Sequence, residues 1–193
     1  MKLSGRVFDK DGNAMSGVSV ELKNDRFETV FQAFSDDNGR YELHAEEKRY
    51  DFLTAVKDYG TKYLEFWAQN LDLANDISLD ICVDRLEIYG LHVFSVKGAY
   101  PSLMVYFRPM SLRKFQAGES DIAPNGMRVK IFIDGQLTEI YALNDVQEFI
   151  GDRMLSAYLA QVSLPQDASD WEMLTVDIED QSGERGRAIV FHN

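Results

Sequence analysis

Two short runs hold the side chains best suited to recognition chemistry. Across residues 62–68, Tyr63, Glu65 and Trp67 fall on alternate positions, so an extended backbone sends them to one face and Leu64, Phe66 and Ala68 to the other. An aromatic ring beside a carboxylate can stack on a sugar ring and hydrogen-bond its hydroxyls, and the same set suits a protein interface. Across residues 103–108, Met104, Tyr106 and Arg108 alternate with Leu103, Val105 and Phe107. A thioether, a phenol and a guanidinium in a row are residue types that binding hot spots use. Both runs have a second reading as packing at a domain seam, with Trp67 against the neighbouring domain and Arg108 holding an acid from the other half.

Other chemistries find little support. His44, His92 and His192 are far apart and have no carboxylate or cysteine at ligand spacing. His44 and His92 read as strand residues and His192 as part of a frayed end. Asp9-Lys10-Asp11-Gly12-Asn13 and Asp36-Asp37-Asn38-Gly39 offer oxygens to calcium, but neither has the loop spacing that ends in a bidentate Glu. Asp, Asn and Gly are also what a bare β-turn requires. Cys82 lies between Ile81 and Val83, a setting that hides a thiol and raises its pKa. There is no Gly-x-Ser-x-Gly elbow, no Ser-x-x-Lys and no phosphate-cradling glycine loop. Two carboxylates alone can hydrolyse a glycoside, and with 32 acids accidental pairs abound. No cofactor or metal is expected, and an enzyme ranks behind a binding protein.

Composition narrows the partners. Thirty-two Asp and Glu against 20 Lys and Arg give a net charge of -12, which repels nucleic acid and anionic membranes. One cysteine in 193 residues precludes an intrachain disulfide, so the fold must rest on packing. No stretch nears the roughly 20 apolar residues of a membrane span. The first residues run straight into a strand pattern with no room for a signal peptide, so the sequence as it stands predicts a cytoplasmic protein. A chain from which a leader had been removed would instead be extracellular.

The elements that position these side chains are strands. Val18, Val20 and Leu22 share a face opposite Ser19 and Glu21. Residues 30–34, 41–45, 50–57 and 62–68 repeat the alternation, and residues 70–82 place Leu71, Leu73, Ile77, Leu79 and Ile81 at odd positions. Gly5-x-Val7, the run Asp9-x-x-Gly12-x-x-x-x-Gly17-Val18-x-Val20, and Asp37-Asn38-Gly39-Arg40-Tyr41 resemble the carboxypeptidase regulatory-like domain over about residues 3–83. The resemblance implies a transthyretin-like (prealbumin-like) sandwich, an accessory domain with no catalytic residues to carry over. The family is usually met outside the cell.

The second part is again strand-rich, at residues 84–96, 103–107, 127–133, 138–143, 158–164, 174–179 and 187–191. Asp134-Gly135 is a two-residue hairpin turn. Asn144-Asp145-Val146-Gln147 has the form of a capping box opening a short helix that Gly151 ends, and the polar segment 113–125 reads as a mobile loop. These features predict an all-β chain of two consecutive β-sandwiches, 1–83 transthyretin-like and 84–193 immunoglobulin-like, with one short helix in the second and no linker between them. The expected function is non-enzymatic binding of a carbohydrate or a protein partner through Tyr63, Glu65, Trp67, Tyr106 and Arg108. The alternative is a structural adaptor in which these side chains are internal packing, and a hydrolase comes third.

Overall fold

The computed structural model of the chain describes residues 1–98, 100–164 and 171–192. It is all-β with one short helix. The first part comprises β1 (Lys2–Phe8), β2 (Ser19–Lys23), β3 (Thr29–Phe34), β4 (Arg40–His44), β5 (Arg49–Val56) and β6 (Phe66–Asp72), then the short β7 (Ile77–Ser78) and β8 (Ile81–Cys82). The second part comprises β9 (Leu86–Phe94), β10 (Ser102–Ser111), α1 (Leu112–Gln116), β11 (Arg128–Ile133), β12 (Gln136–Leu137), β13 (Ile140–Phe149), β14 (Met154–Ser163), β15 (Met173–Glu179) and β16 (Arg185–Phe191).

Three turns follow one local rule. Asp9, Asp36 and Asp180 each accept two backbone N–H groups on one carboxylate oxygen, from Asp11 and Asn13, Asn38 and Arg40, and Ser182 and Glu184, at 2.8–3.0 Å. The residue three positions on is glycine at positive φ in every case: Gly12, Gly39 and Gly183. At Gly39 a Cβ would also lie 2.4 Å from the Val7 carbonyl, so the position excludes larger residues twice over. Satisfying the turn backbone is the work these carboxylates do, as the turn reading of the two acidic loops requires.

The strands form three sheets. A small one has the order β4-β1-β7, with β8 also on β1; another runs β13-β14-β10-β9; and an eight-stranded sheet runs β12-β11-β15-β16-β6-β5-β2-β3. The eight-stranded sheet draws strands from both parts of the chain. They join where β16 lies parallel to β6, Ala188 opposite Trp67 and Val190 opposite Gln69.

The apolar side chains form two cores on opposite faces of this shared sheet. Val20, Leu22, Leu53, Phe66 and Ala68 bury one face with Leu3, Val7 and Tyr41 of the small sheet. Val176, Ala188 and Val190 bury the other with Leu103, Val105 and Phe107. The alternation of β16 shows the division directly: Ile189 enters the first core while its neighbours Ala188 and Val190 enter the second.

Three local expectations are corrected. Residues 144–147 belong to β13, paired with residues 156–159 of β14, and Gln147 donates to the Ser156 hydroxyl at 3.0 Å. The capping-box pattern is a local signal, and the cross-strand ladder overrides it. The helix is α1, which overlaps the start of the segment 113–125 read as a mobile loop; that segment is tied back by Ser111 N–H to the Ile122 carbonyl and Lys114 to the Ala123 carbonyl, both at 2.8 Å. His192 is not frayed: its ring lies 4.4 Å from that of Trp171 and its N–H donates to the Glu172 carbonyl.

Because Ile189 comes from the last strand yet fills the N-terminal core, Ile189→Ala should cost about 2–4 kcal/mol and still leave one unfolding transition. Separate transitions followed by tryptophan fluorescence and far-UV circular dichroism would contradict a sheet that couples the two parts.

Candidate functional site

The face of the shared sheet turned away from the first core continues past the second core and carries Glu21 and Lys23 on β2, Phe52 and Thr54 on β5, and Trp67 and Gln69 on β6, aligned by register. Beside it runs β9, the edge strand of the second sheet. β9 holds one extra residue against β10, with Tyr106 opposite His92 but Arg108 opposite Tyr89. Gly90, at φ +64, sits in this bulge. The bulge resets the alternation so that Tyr89 and His92 both face the same way as Tyr106 and Arg108.

Trp67 is the hinge of the arrangement. Its indole Nε1–H donates to Glu87 Oε1 at 2.8 Å. Its ring packs against the second core, edge-on to Tyr89 at 5.8 Å and to Phe52 at 6.0 Å, and stacked under Phe27 at 5.1 Å. Arg108 lies over the Tyr89 ring at 4.4 Å and donates to Glu148 Oε2 at 2.9 Å, an oxygen that also accepts from the Tyr106 hydroxyl at 2.5 Å. Burial, then the bond to Glu148, pushes the Tyr106 phenol up to about 12, so it remains a donor.

Phe27 comes from the β2–β3 hairpin and is held at φ 64, the left-handed region that disfavours any side chain with a Cβ. The Asn24 side chain holds the turn by accepting the N–H groups of Arg26 and Glu28 at 3.0 and 2.9 Å. Phe27 is still 42% exposed, with Lys23 Nζ 4.6 Å from its ring centre.

These groups line two cavities that share Trp67, Tyr89 and Arg108. The outer is an open groove of about 800 Å³, with Phe27, Phe52, Trp67 and Tyr89 as its aromatic surfaces and Asp25, Gln69, His92, Tyr106, Arg108 and Glu148 as its polar ones. The inner is a pocket of about 330 Å³ running from Tyr59 and Glu87 to Met110, Ile122 and Leu155. Elsewhere, a cavity of about 220 Å³ is rich in arginine, but Arg187 is paired with Asp177, and Arg128 and Arg185 with Glu179. Among the described residues no group of three or more His, Cys, Asp or Glu is placed to hold a metal. Burial pushes the Cys82 thiol up to about 11, which keeps it protonated and unreactive.

Of the residues singled out in the sequence, Trp67, Tyr106 and Arg108 meet in the groove although they come from different parts of the chain. Glu65 adjoins them: its backbone N–H donates to Glu87 Oε2 at 3.3 Å, and burial, with the Glu87 charge adding to it, pushes the Glu65 carboxyl up to about 7. Tyr63 does not join. It precedes the regular part of β6 and packs against the first core. Glu87, Tyr89, Phe27 and Glu148 were not foreseen. The one available signal was Gly90 inside a strand pattern, which marks a bulge.

No family model matches the sequence, and comparison with curated proteins finds no match. Among solved structures, a DUF3823 family protein from Bacteroides ovatus is similar over 98% of each chain at 13% identity and a TM-score of 0.33. A DUF3823 family protein from Parabacteroides merdae covers 100% of this chain and 98% of its own at 14% identity and a TM-score of 0.31. BcpA, the major pilin subunit of Bacillus cereus, covers 98% of this chain and 67% of its own at 11% identity and a TM-score of 0.33. Scores this low carry no argument about function.

Two outcomes follow from the geometry. Trp67→Ala removes an aromatic that packs on the second core and anchors Glu87, and should cost about 3–5 kcal/mol in denaturant unfolding. Glu65 binds its proton more tightly folded than unfolded, so its contribution falls as pH rises from 4.5 through about 7 and is a full penalty above that. Glu65→Gln should therefore gain on the parent protein as pH rises through this window, reaching about 1–3 kcal/mol at pH 8. A difference between the two proteins that is flat from pH 4 to 8 would refute the assignment.

Proposed function

We propose that the chain is a non-enzymatic binding module whose outer groove takes a carbohydrate. The observation that carries this reading is the convergence of Trp67 with Tyr106 and Arg108 in one groove, where five aromatic rings stand among two carboxylates, an amide, an imidazole and a guanidinium. Aromatic faces stack on the C–H surfaces of sugar rings, and planar polar side chains hydrogen-bond neighbouring hydroxyls in pairs. The groove volume falls within the range of about 300–1,000 Å³ typical of ligand sites.

Phe27 supports the same reading. A left-handed backbone at a non-glycine residue costs about 1–3 kcal/mol, and such outliers cluster at ligand sites because surrounding structure must hold them there. Glycine would fit the turn without strain. The phenyl ring serves as exposed aromatic surface continuous with Trp67.

The engagement of Glu148 supports the non-enzymatic part of this reading. Within the groove, Glu148 is engaged by Tyr106 and Arg108, which leaves it an orienting acceptor rather than a free acid or nucleophile. The resemblance of residues 3–83 to the carboxypeptidase regulatory-like family, itself an accessory domain, is compatible with this reading and with the β-sandwich of the first core. The division at residue 83 belongs to the same proposal: the first core is built almost wholly from residues 3–83 and the second from residues beyond.

Phe27→Gly separates binding from folding. Relief of strain offsets the lost stacking, so stability should stay within about 1 kcal/mol of the parent. Retention of the protein in affinity electrophoresis on a panel of soluble polysaccharides should fall at least about tenfold for whichever polysaccharide the parent protein binds. Failure of the parent to bind any member, or full retention by the variant, would overturn the reading.

A further inference from the structure

The inner pocket poses a separate electrostatic problem. Glu87 is only 2% exposed and lies on the pocket wall. Its Oε1 has a good partner in the Trp67 indole at 2.8 Å, but Oε2 has only two long ones, the Tyr59 hydroxyl at 3.4 Å and the Glu65 N–H at 3.3 Å. Among the described residues no Lys, Arg or His lies within ion-pair distance of it. The cations nearby are engaged elsewhere: Lys23 is 2.6 Å from Glu21 and Arg108 is 2.9 Å from Glu148. A buried carboxylate without a counter-charge is costly, and burial accordingly raises its pKa.

The pocket around it has two further properties. Tyr59, Trp67 and Tyr89 line it, and an electron-rich ring favours a nearby cation, as Arg108 over Tyr89 already shows. Met110, Ile122 and Leu155 give it apolar surface, and a second carboxylate, Asp121, and the guanidinium of Arg108 also line it. Asp121 stays ionised: hydrogen bonds from Ser156 and from the Ala123 and Ser156 N–H groups outweigh burial and lower its pKa.

We propose that the inner pocket is a binding site for a small organic amine, whose ammonium pairs with Glu87 beside the aromatic rings and whose apolar body lies against Met110, Ile122 and Leu155. An ammonium supplies the donors that Glu87 Oε2 lacks and a charge for Glu87, since the guanidinium of Arg108, which also lines the pocket, is paired with Glu148. A neutral ligand would leave the carboxylate uncompensated, and an anion would be repelled by both acids. The inference does not depend on carbohydrate binding, since Glu87 does not line the outer groove.

Titration calorimetry with three probes of one shape tests it: 3-phenylpropylammonium, 3-phenylpropan-1-ol and 3-phenylpropionate, each with the intact chain at pH 7.5. The amine should bind at least about tenfold more tightly than the alcohol, and the carboxylate should not bind. Glu87→Gln keeps the hydrogen-bonding shape and should reduce the preference for amine over alcohol to near unity. If that variant fails to fold, Ile150→Trp, at an exposed residue that lines the pocket, leaves the carboxylate in place and should abolish amine binding by filling its space. Equal affinity for amine and alcohol, no binding of the amine at millimolar concentration, or unimpaired amine binding by a folded Ile150→Trp protein would overturn the proposal.

Discussion

The parallel pairing of β16 with β6 is the contact on which the rest depends. A strand laid beside another on a sheet must send alternate side chains to opposite faces, and β16 does so across both cores, with Ile189 on one side and Ala188 and Val190 on the other. Without that pairing the N-terminal sheet would end at β6 and expose its edge. With it, the two parts of the chain become one eight-stranded sheet, each core protected by a separate covering sheet.

The site is a consequence of that offset. Since the covering sheets lie on opposite faces, the face bearing Phe52, Trp67 and Gln69 is only half covered, and the edge strand β9 runs alongside it rather than over it. The gap becomes the groove and the inner pocket. Two departures from regular structure shape it: the Gly90 bulge, which turns Tyr89 and His92 toward the gap, and the left-handed Phe27, which extends the aromatic surface from the opposite side. Both are features that a packed core does not demand. Two carboxyls held above their ordinary values by burial, Glu65 and Glu87, adjoin this gap.

Much of the fold was legible because strands and turns are written locally. The alternation of Val18, Val20 and Leu22, the hairpin turn at Asp134 and Gly135, and the repeated Asp-x-x-Gly turns each state a backbone requirement within a few residues. The helix was misplaced for the same reason: residues 144–147 carry a good local cap, yet the ladder to β14 offers every backbone group a partner. The site was legible only in part. Trp67, Tyr106 and Arg108 could be named from alternation, but that they meet depends on β16 returning to β6 from more than a hundred residues away, which no local pattern records. Tyr63 shares the alternation of Glu65 and Trp67 but precedes the regular strand, and Glu87 gives no signal because it looks like any acid on a strand until β9 is placed against Trp67.

A sugar bound in the proposed groove would lie beside one of the two tryptophans and away from the other. Trp67 lines the groove, whereas Trp171 is buried in the second core against His192. The indole N–H signals of the two residues can be followed separately in ¹H–¹⁵N spectra of the intact protein during titration with an oligosaccharide cut from a polysaccharide that retains it. Binding in the groove should shift the Trp67 signal saturably and leave that of Trp171 in place. A saturable shift of Trp171 alone, or binding that leaves both signals unmoved, would contradict the placement of the ligand between the shared sheet and β9.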